Sequence, residues 1–241
     1  DRVEFVGLSD KNEGRMRLGK DYLQVDCPLY LDFDQMLREA APDVLIVTTM
    51  DSTHHEFIIK GLKAGMHVIT EKPMTTDEVK VQAILDAEKV SGKQVLVTFN
   101  YRYSPHRQML YELLQEGAIG KVTSVDFHWY LDTSHGADYF RRWHGIQAYS
   151  GSLLVHKATH HFDLLNWWLD SDPEEVFAYG SLEFYGKNGP FRSKTCRGCP
   201  HASSCDFYWD ITKNKYLHQL YVENEKYDGY HRDGCVFREE I

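Results

Sequence analysis

The chain has 241 residues, 42% of them hydrophobic and 26% charged. That is an ordinary globular composition, enough for one large domain or two smaller ones. A formal net charge of −9 argues against a nucleic-acid surface, because phosphate contacts need clustered Lys and Arg. The longest apolar runs, such as Val44 to Val47, are far too short to cross a bilayer, so no membrane partner is expected.

Taken in chain order, the first hundred residues alternate between strand and helix patterns. Val3–Leu8 reads as a strand ending at Ser9-Asp10, with a charged helical stretch from Lys11 to about Leu18. Asp34–Glu39 is a short helix. Asp43–Thr49 is a strand whose Val-Leu-Ile-Val run suits burial on both faces. Ser52 or Thr53 can cap the following helix, and Gly65 suits its C′ position. His67–Thr70 is a strand. Thr75 or Thr76 is expected to cap the next helix, with Asp77 and Glu78 in its first turn. Gln94–Phe99 is another strand. The chain starts at Asp1-Arg2 without an initiator Met and ends abruptly after Cys235-Val236-Phe237, so it reads as a fragment of a longer protein.

After residue 104 the pattern changes. Pro105–Gln115 is a helix stopped near Gly117 and Gly120. Val122–Leu131 and Val176–Tyr185 alternate as strands of a second sheet. Leu153–Leu169 is a long apolar helix carrying His156, Lys157, His160, His161 and Asp163. The domain boundary falls near Asn100–Pro105. The expected fold class is α/β. A Rossmann-type parallel sheet lacking its N-terminal part spans 1–102. An α+β domain with an open, mainly antiparallel sheet and a Cys-rich insertion spans 103–241.

Parallel sheets bind ligands at the carboxyl ends of their strands. Asp10, Thr48-Thr49, Glu71-Lys72 and Asn100 all fall at such ends. Asp10 is placed to accept from adenosine ribose hydroxyls, which favours NAD over NADP; its plainer reading is a helix cap. Lys72, held before Pro73, is aimed at whatever sits over a nicotinamide, where an ammonium can steady charge on a substrate oxygen. Its plainer reading is a surface lysine beside a turn.

Thr49-Met50-Asp51-Ser52-Thr53-His54, Ala64-Gly65-Met66-His67-Val68, Glu71-Lys72-Pro73 and Asn100-Tyr101-Arg102-Tyr103-Ser104-Pro105 together resemble the Gfo/Idh/MocA family of nicotinamide-dependent oxidoreductases. Met50 and Asp51 depart from the Pro and Asn of the family pattern. The helix from Gly151 to Asp163 is similar to the family's Gly-Gly-x-Leu-x-Asp-x-Gly-x-His-x-x-Asp, with His156 in place of the first Asp. The resemblance implies that Lys72 and His160 carry the chemistry, with His156 and Asp163 in support. It implies that Asp10, Thr48, Thr49, His54, Glu71, Lys72 and Asn100 contact NAD. A sugar, inositol or related polyol is the implied substrate, and a cytoplasmic homo-oligomer the expected state. A glycosidase that cycles its sugar through tightly held NAD, and a non-catalytic sugar- or nucleotide-binding member, are the alternatives. Paired histidines at i and i+4 can also hold a metal, but Lys157 stands where H-E-x-x-H has its Glu.

Cys196, Cys199, Cys205 and Cys235 form a last constellation. Four thiolates can close a structural zinc site, with His201 as a substitute ligand. Disulfides and an iron–sulfur cluster are the other readings. The nearby Phe207, Tyr208, Trp209 and Tyr216 form either an aromatic wall for a sugar or core.

Overall fold

A computed structural model describes residues 3–223 and 232–241. Its first part is strand–helix repetition. It comprises β1 (Leu8–Ser9), α1 (Glu13–Leu23), β2 (Leu29–Tyr30), α2 (Phe33–Ala40), β3 (Val44–Val47), α3 (His54–Lys63), β4 (His67–Thr70), α4 (Glu78–Ser91) and β5 (Val95–Val97). All pairings are parallel. β1 pairs with β2, and β3, β4 and β5 lie side by side in that order, with Val44 opposite His67 and Thr70 opposite Val97.

The core of this part is built by Leu45 and Val47 of β3, Val68 of β4, Ile58 and Leu62 of α3, and Ile84 of α4. Gly61 lets α3 lie directly on the sheet: a Cβ there would stand 2.7 Å from Leu45 Cδ2. Asp77, not Thr75 or Thr76, caps α4, accepting from Lys80 N at 3.0 Å. A carboxylate is as good an N-cap as any residue, and Thr75 is buried with its hydroxyl unpaired. The three-residue turn 51–53 precedes α3, so Ser52 and Thr53 lie in that turn and no side chain caps the helix.

The second part is built mostly of short helices. These are α5 (Pro105–Gln115), α6 (Thr133–Arg141), α7 (Gln147–Ser150), α8 (Leu153–His156), α9 (Thr159–Leu169) and α10 (Lys215–His218). The expected Leu153–Leu169 helix is broken at Lys157-Ala158 into α8 and α9. Val122–Leu131 and Val176–Tyr185, expected as strands, form no ladder among the described residues. A strand exists only with a partner, and residues 171–184 are exposed throughout. Phe127 and Trp129 nonetheless pack onto α9, with ring centroids 5.6 and 4.5 Å from His161. A second core joins Phe237 and Val236 to Phe140, Tyr185, Phe191 and Phe207. Phe207 is therefore core rather than an exposed sugar-stacking wall.

Candidate active site

The carboxyl ends of β3 and β4 meet α8 and α9 around Lys72. The residue sits two past β4, joined to Pro73 by a cis peptide bond. Its ammonium crosses to the second part of the chain and donates to the His156 main-chain carbonyl at 2.7 Å. Glu71 is exposed, and its carboxylate accepts from Lys72 N at 3.2 Å. Burial pushes the Lys72 pKa below the usual lysine value. Asp51 and Glu71 oppose that shift, and the Lys157 charge adds to it.

Asp51 was not among the expected site residues. It is 3% exposed and pairs with His156, whose Nδ1 lies 2.5 Å from Asp51 Oδ2. Burial lowers the His156 pKa, and the Asp51 bond partly restores it. The two departures noted in the sequence are therefore one arrangement. Where the family pattern has Asn before α3 and Asp in the later helix, this chain has Asp51 and His156. The carboxylate stays in the site but comes from the opposite side. Pairing the two departures across 105 residues was the signal that could have found it.

His160 is 4% exposed and stacks on Tyr101, centroid to centroid 3.9 Å with the rings 6° from parallel. Its Nδ1 has no hydrogen-bond partner. Burial first, then the Lys72 and Lys157 charges, lowers its pKa to about 3. The ring is thus neutral at working pH, the state a proton acceptor needs.

Asp163 does not back His160. It is taken by Arg102, whose Nε donates to Oδ2 at 2.8 Å while Nη2 donates to Oδ1. This fork is the ideal guanidinium–carboxylate geometry. It ties the segment 100–103 to α9. His54 is fully buried, and its two ring nitrogens face the carbonyls of Pro73 (2.9 Å) and Thr49 (3.0 Å). It thereby braces the segments that follow β3 and β4. Thr48, Thr49 and Asn100 are exposed at strand ends as expected. Asp10 accepts from Asn12 N at 2.8 Å and faces Arg15 at 3.5 Å, whereas Asn12 is the cap of α1.

Cys196, Cys199, Cys205 and Cys235 line one small cavity of about 20 Å³; Cys196 is buried, the other three are half-buried, and none is in a disulfide. Arg141 donates to Cys196 Sγ at 3.4 Å. The donor chemistry suits a thiophilic metal. Yet no group of three His, Cys, Asp or Glu among the described residues stands so as to hold an ion. The closed zinc site expected from the spacing is not formed. His201 stacks on Phe191 instead.

A parallel strand–helix sheet leading into a second, helical part, with a buried lysine reaching from a strand end to the main chain of that part, is the arrangement of a two-domain dinucleotide-dependent oxidoreductase fold. Comparison with known families agrees. Residues 1–99 match the oxidoreductase family with NAD-binding Rossmann fold, and residues 111–206 match its C-terminal alpha/beta domain. The chain belongs to the Gfo/Idh/MocA family. It is 44% identical to YteT of Bacillus subtilis strain 168, described no further than as an oxidoreductase, over 99% of this chain and 60% of that protein. It is 30% identical to the myo-inositol 2-dehydrogenase of Thermotoga maritima, over 78% of this chain and 55% of that one. The WlbA dehydrogenase of Chromobacterium violaceum, solved in complex with NADH and UDP-GlcNAcA, superposes with a TM-score of 0.61 at 25% identity, covering 70% of this chain and 48% of that one. The chain thus spans about half to three fifths of the length of these relatives. No helix among the described residues is long and apolar enough to cross a membrane.

Proposed function

We propose that the whole protein is an NAD-dependent oxidoreductase that moves a hydride between nicotinamide and a hydroxyl or keto group of a sugar, inositol or related polyol. One observation carries this reading. The Lys72 ammonium, at the strand end where a nicotinamide ring is expected, is held 2.7 Å from the carbonyl of His156, on the short helix leading into the His160 turn. The bound dinucleotide would supply the hydride acceptor or donor. Thr48, Thr49, Glu71 and Asn100, exposed at the strand ends, are the residues that would hold it, with Asp10 at the ribose favouring NAD over NADP.

In the oxidation direction Lys72 donates to the substrate oxygen and steadies the negative charge that grows there. His160, neutral, takes the hydroxyl proton. Asp51 and His156 hold the main chain against which Lys72 rests. Arg102 and Asp163 fix α9, and so fix His160.

Division at about residue 102, homo-oligomerisation and a cytoplasmic location belong to the same proposal. The reading as a whole is tested on the complete reading frame. The protein is purified without added cofactor and denatured, and any released nucleotide is identified by mass spectrometry; NADH binding and polyol-dependent turnover follow. Released or exchangeable NAD with net turnover supports a dehydrogenase. Glycoside cleavage without net NADH change would replace it with a redox-cycling glycosidase. Nucleotide binding without turnover on any polyol would leave a binding protein.

A further inference from the structure

Lys157 follows His156 at the break between α8 and α9 and is 8% exposed. Its ammonium donates to the Tyr101 hydroxyl at 2.6 Å and lies 5.0 Å from the centroid of the Tyr101 ring. Among the described residues, no carboxylate stands at ion-pair distance from it. Lysines buried to this degree are almost always paired.

The acidic groups around it are already engaged. Asp51 is bonded to His156, and Asp163 is forked by Arg102. The positive charges are not balanced in the same way. Lys157 stands near enough to Lys72 to lower its pKa, and both lower that of His160. Arg107 adds another cation, 4.4 Å from the Tyr101 ring. A chain with a formal net charge of −9 thus brings Lys72, Lys157 and Arg107 close together here, with Asp51 and Glu71 acting on Lys72 and no carboxylate paired to Lys157 among the described residues.

We propose that Lys157 and the Tyr101 hydroxyl receive a carboxylate of the substrate, so that the protein acts on acidic sugars or polyols in preference to neutral ones. This rests on the oxidoreductase reading above and narrows its substrate class. The Tyr101 oxygen accepts from the ammonium, which leaves its own proton free to donate. Ammonium and phenol then offer two donors side by side, matching the two oxygens of a carboxylate. The same Tyr101 ring stacks on His160. A substrate anchored by its carboxylate at the phenol end is thereby fixed relative to the proton acceptor.

The test is calorimetric binding to the full-length protein, NADH being titrated first and the sugar second. Glucuronate, glucose and glucose 6-phosphate are compared, then galacturonate with galactose. The uronates are expected to bind roughly 10- to 100-fold tighter than their neutral counterparts, the worth of one charge-assisted hydrogen bond. Lys157→Gln is expected to erase that gap, and Tyr101→Phe to reduce it while keeping the ring stack. Equal affinity of acid and neutral sugars in the unaltered protein overturns the proposal, whatever the variants do. So does a gap that survives Lys157→Gln, tighter binding of the phosphate ester, or no binding of any of the five. Failure of NADH to bind in the first titration counts against the oxidoreductase reading instead.

Discussion

The two parts of the chain hold their backbones in place by different means. In residues 3–103 the backbone does the work. Three parallel strands share an unbroken register, and the polar groups at their ends are delivered to one edge. In the described residues from 104 onward long side chains take over. Arg141 donates to the carbonyls of Phe207 and Gly234, 66 and 93 residues away, and Arg238 donates to that of Arg142, 96 residues away. A ladder satisfies carbonyls in series, whereas an arginine satisfies two or three at once and needs no strand. The site lies where the two schemes meet. Lys72, at a strand end, rests on a carbonyl of the second part; Asp51 and Arg102, from the first, find His156 and Asp163 in the second.

Arg102→Ala is the most damaging single change at the joint between the two parts. It leaves the Asp163 carboxylate buried without its fork. Arg102 is about one third exposed, so the loss sits below that of a fully buried pair, at about 2 kcal/mol. Denaturant unfolding would show it as a lower midpoint, and activity would fall with it as α9 loosens.

Ser152→Gly acts in the opposite direction and by less. Ser152 has φ +87° and ψ 170°, a conformation that only glycine adopts without cost. The substitution is expected to raise stability by about 1 kcal/mol, read as a higher midpoint with unchanged denaturant slope. The neighbouring Gly151 shows the contrast: a Cβ there would stand 3.0 Å from Val155 Cβ and 3.1 Å from Thr76 O. Gly151→Ala should therefore lower the midpoint.

Asp51→Asn is expected to alter pH dependence more than stability. The Asp51 charge raises the Lys72 pKa against the pull of burial. Without it that pKa falls further. The alkaline limb of kcat/KM, where Lys72 loses its proton, then moves to lower pH. An alkaline limb that stays in place would show that Asp51 does not act on Lys72.

The first part was legible in the sequence because its signals are local. Apolar runs four residues long and a glycine after α3 mark strands and turns within a few positions, although the cap of α4 fell on Asp77 instead of the threonines before it. β4 falls where expected, at His67–Thr70, and α5 at Pro105–Gln115. The Lys72 site was legible by the same logic, as a polar residue at a strand end. What was not legible depends on partners far along the chain. Val176–Tyr185 has the alternation of a strand but pairs with no other strand among the described residues. Asp163 lies three residues from His160, as a helper would, yet it answers to Arg102. The four cysteines have ligand-like spacing and share a cavity, but spacing alone does not set the positions of their sulfurs. Asp51 and His156 each looked like a departure until the fold put them 2.5 Å apart.

The central claim is that Lys72, held across the joint, acts on the reacting oxygen and not on nucleotide binding. The most direct measurement is a single-turnover hydride transfer in the full-length protein, followed by nicotinamide absorbance, for the unaltered protein and for Lys72→Ala. The account predicts unchanged NADH affinity and a hydride-transfer rate lower by about a thousandfold, the upper scale of one lost charge-stabilising donor. Equal transfer rates in the two proteins would contradict it.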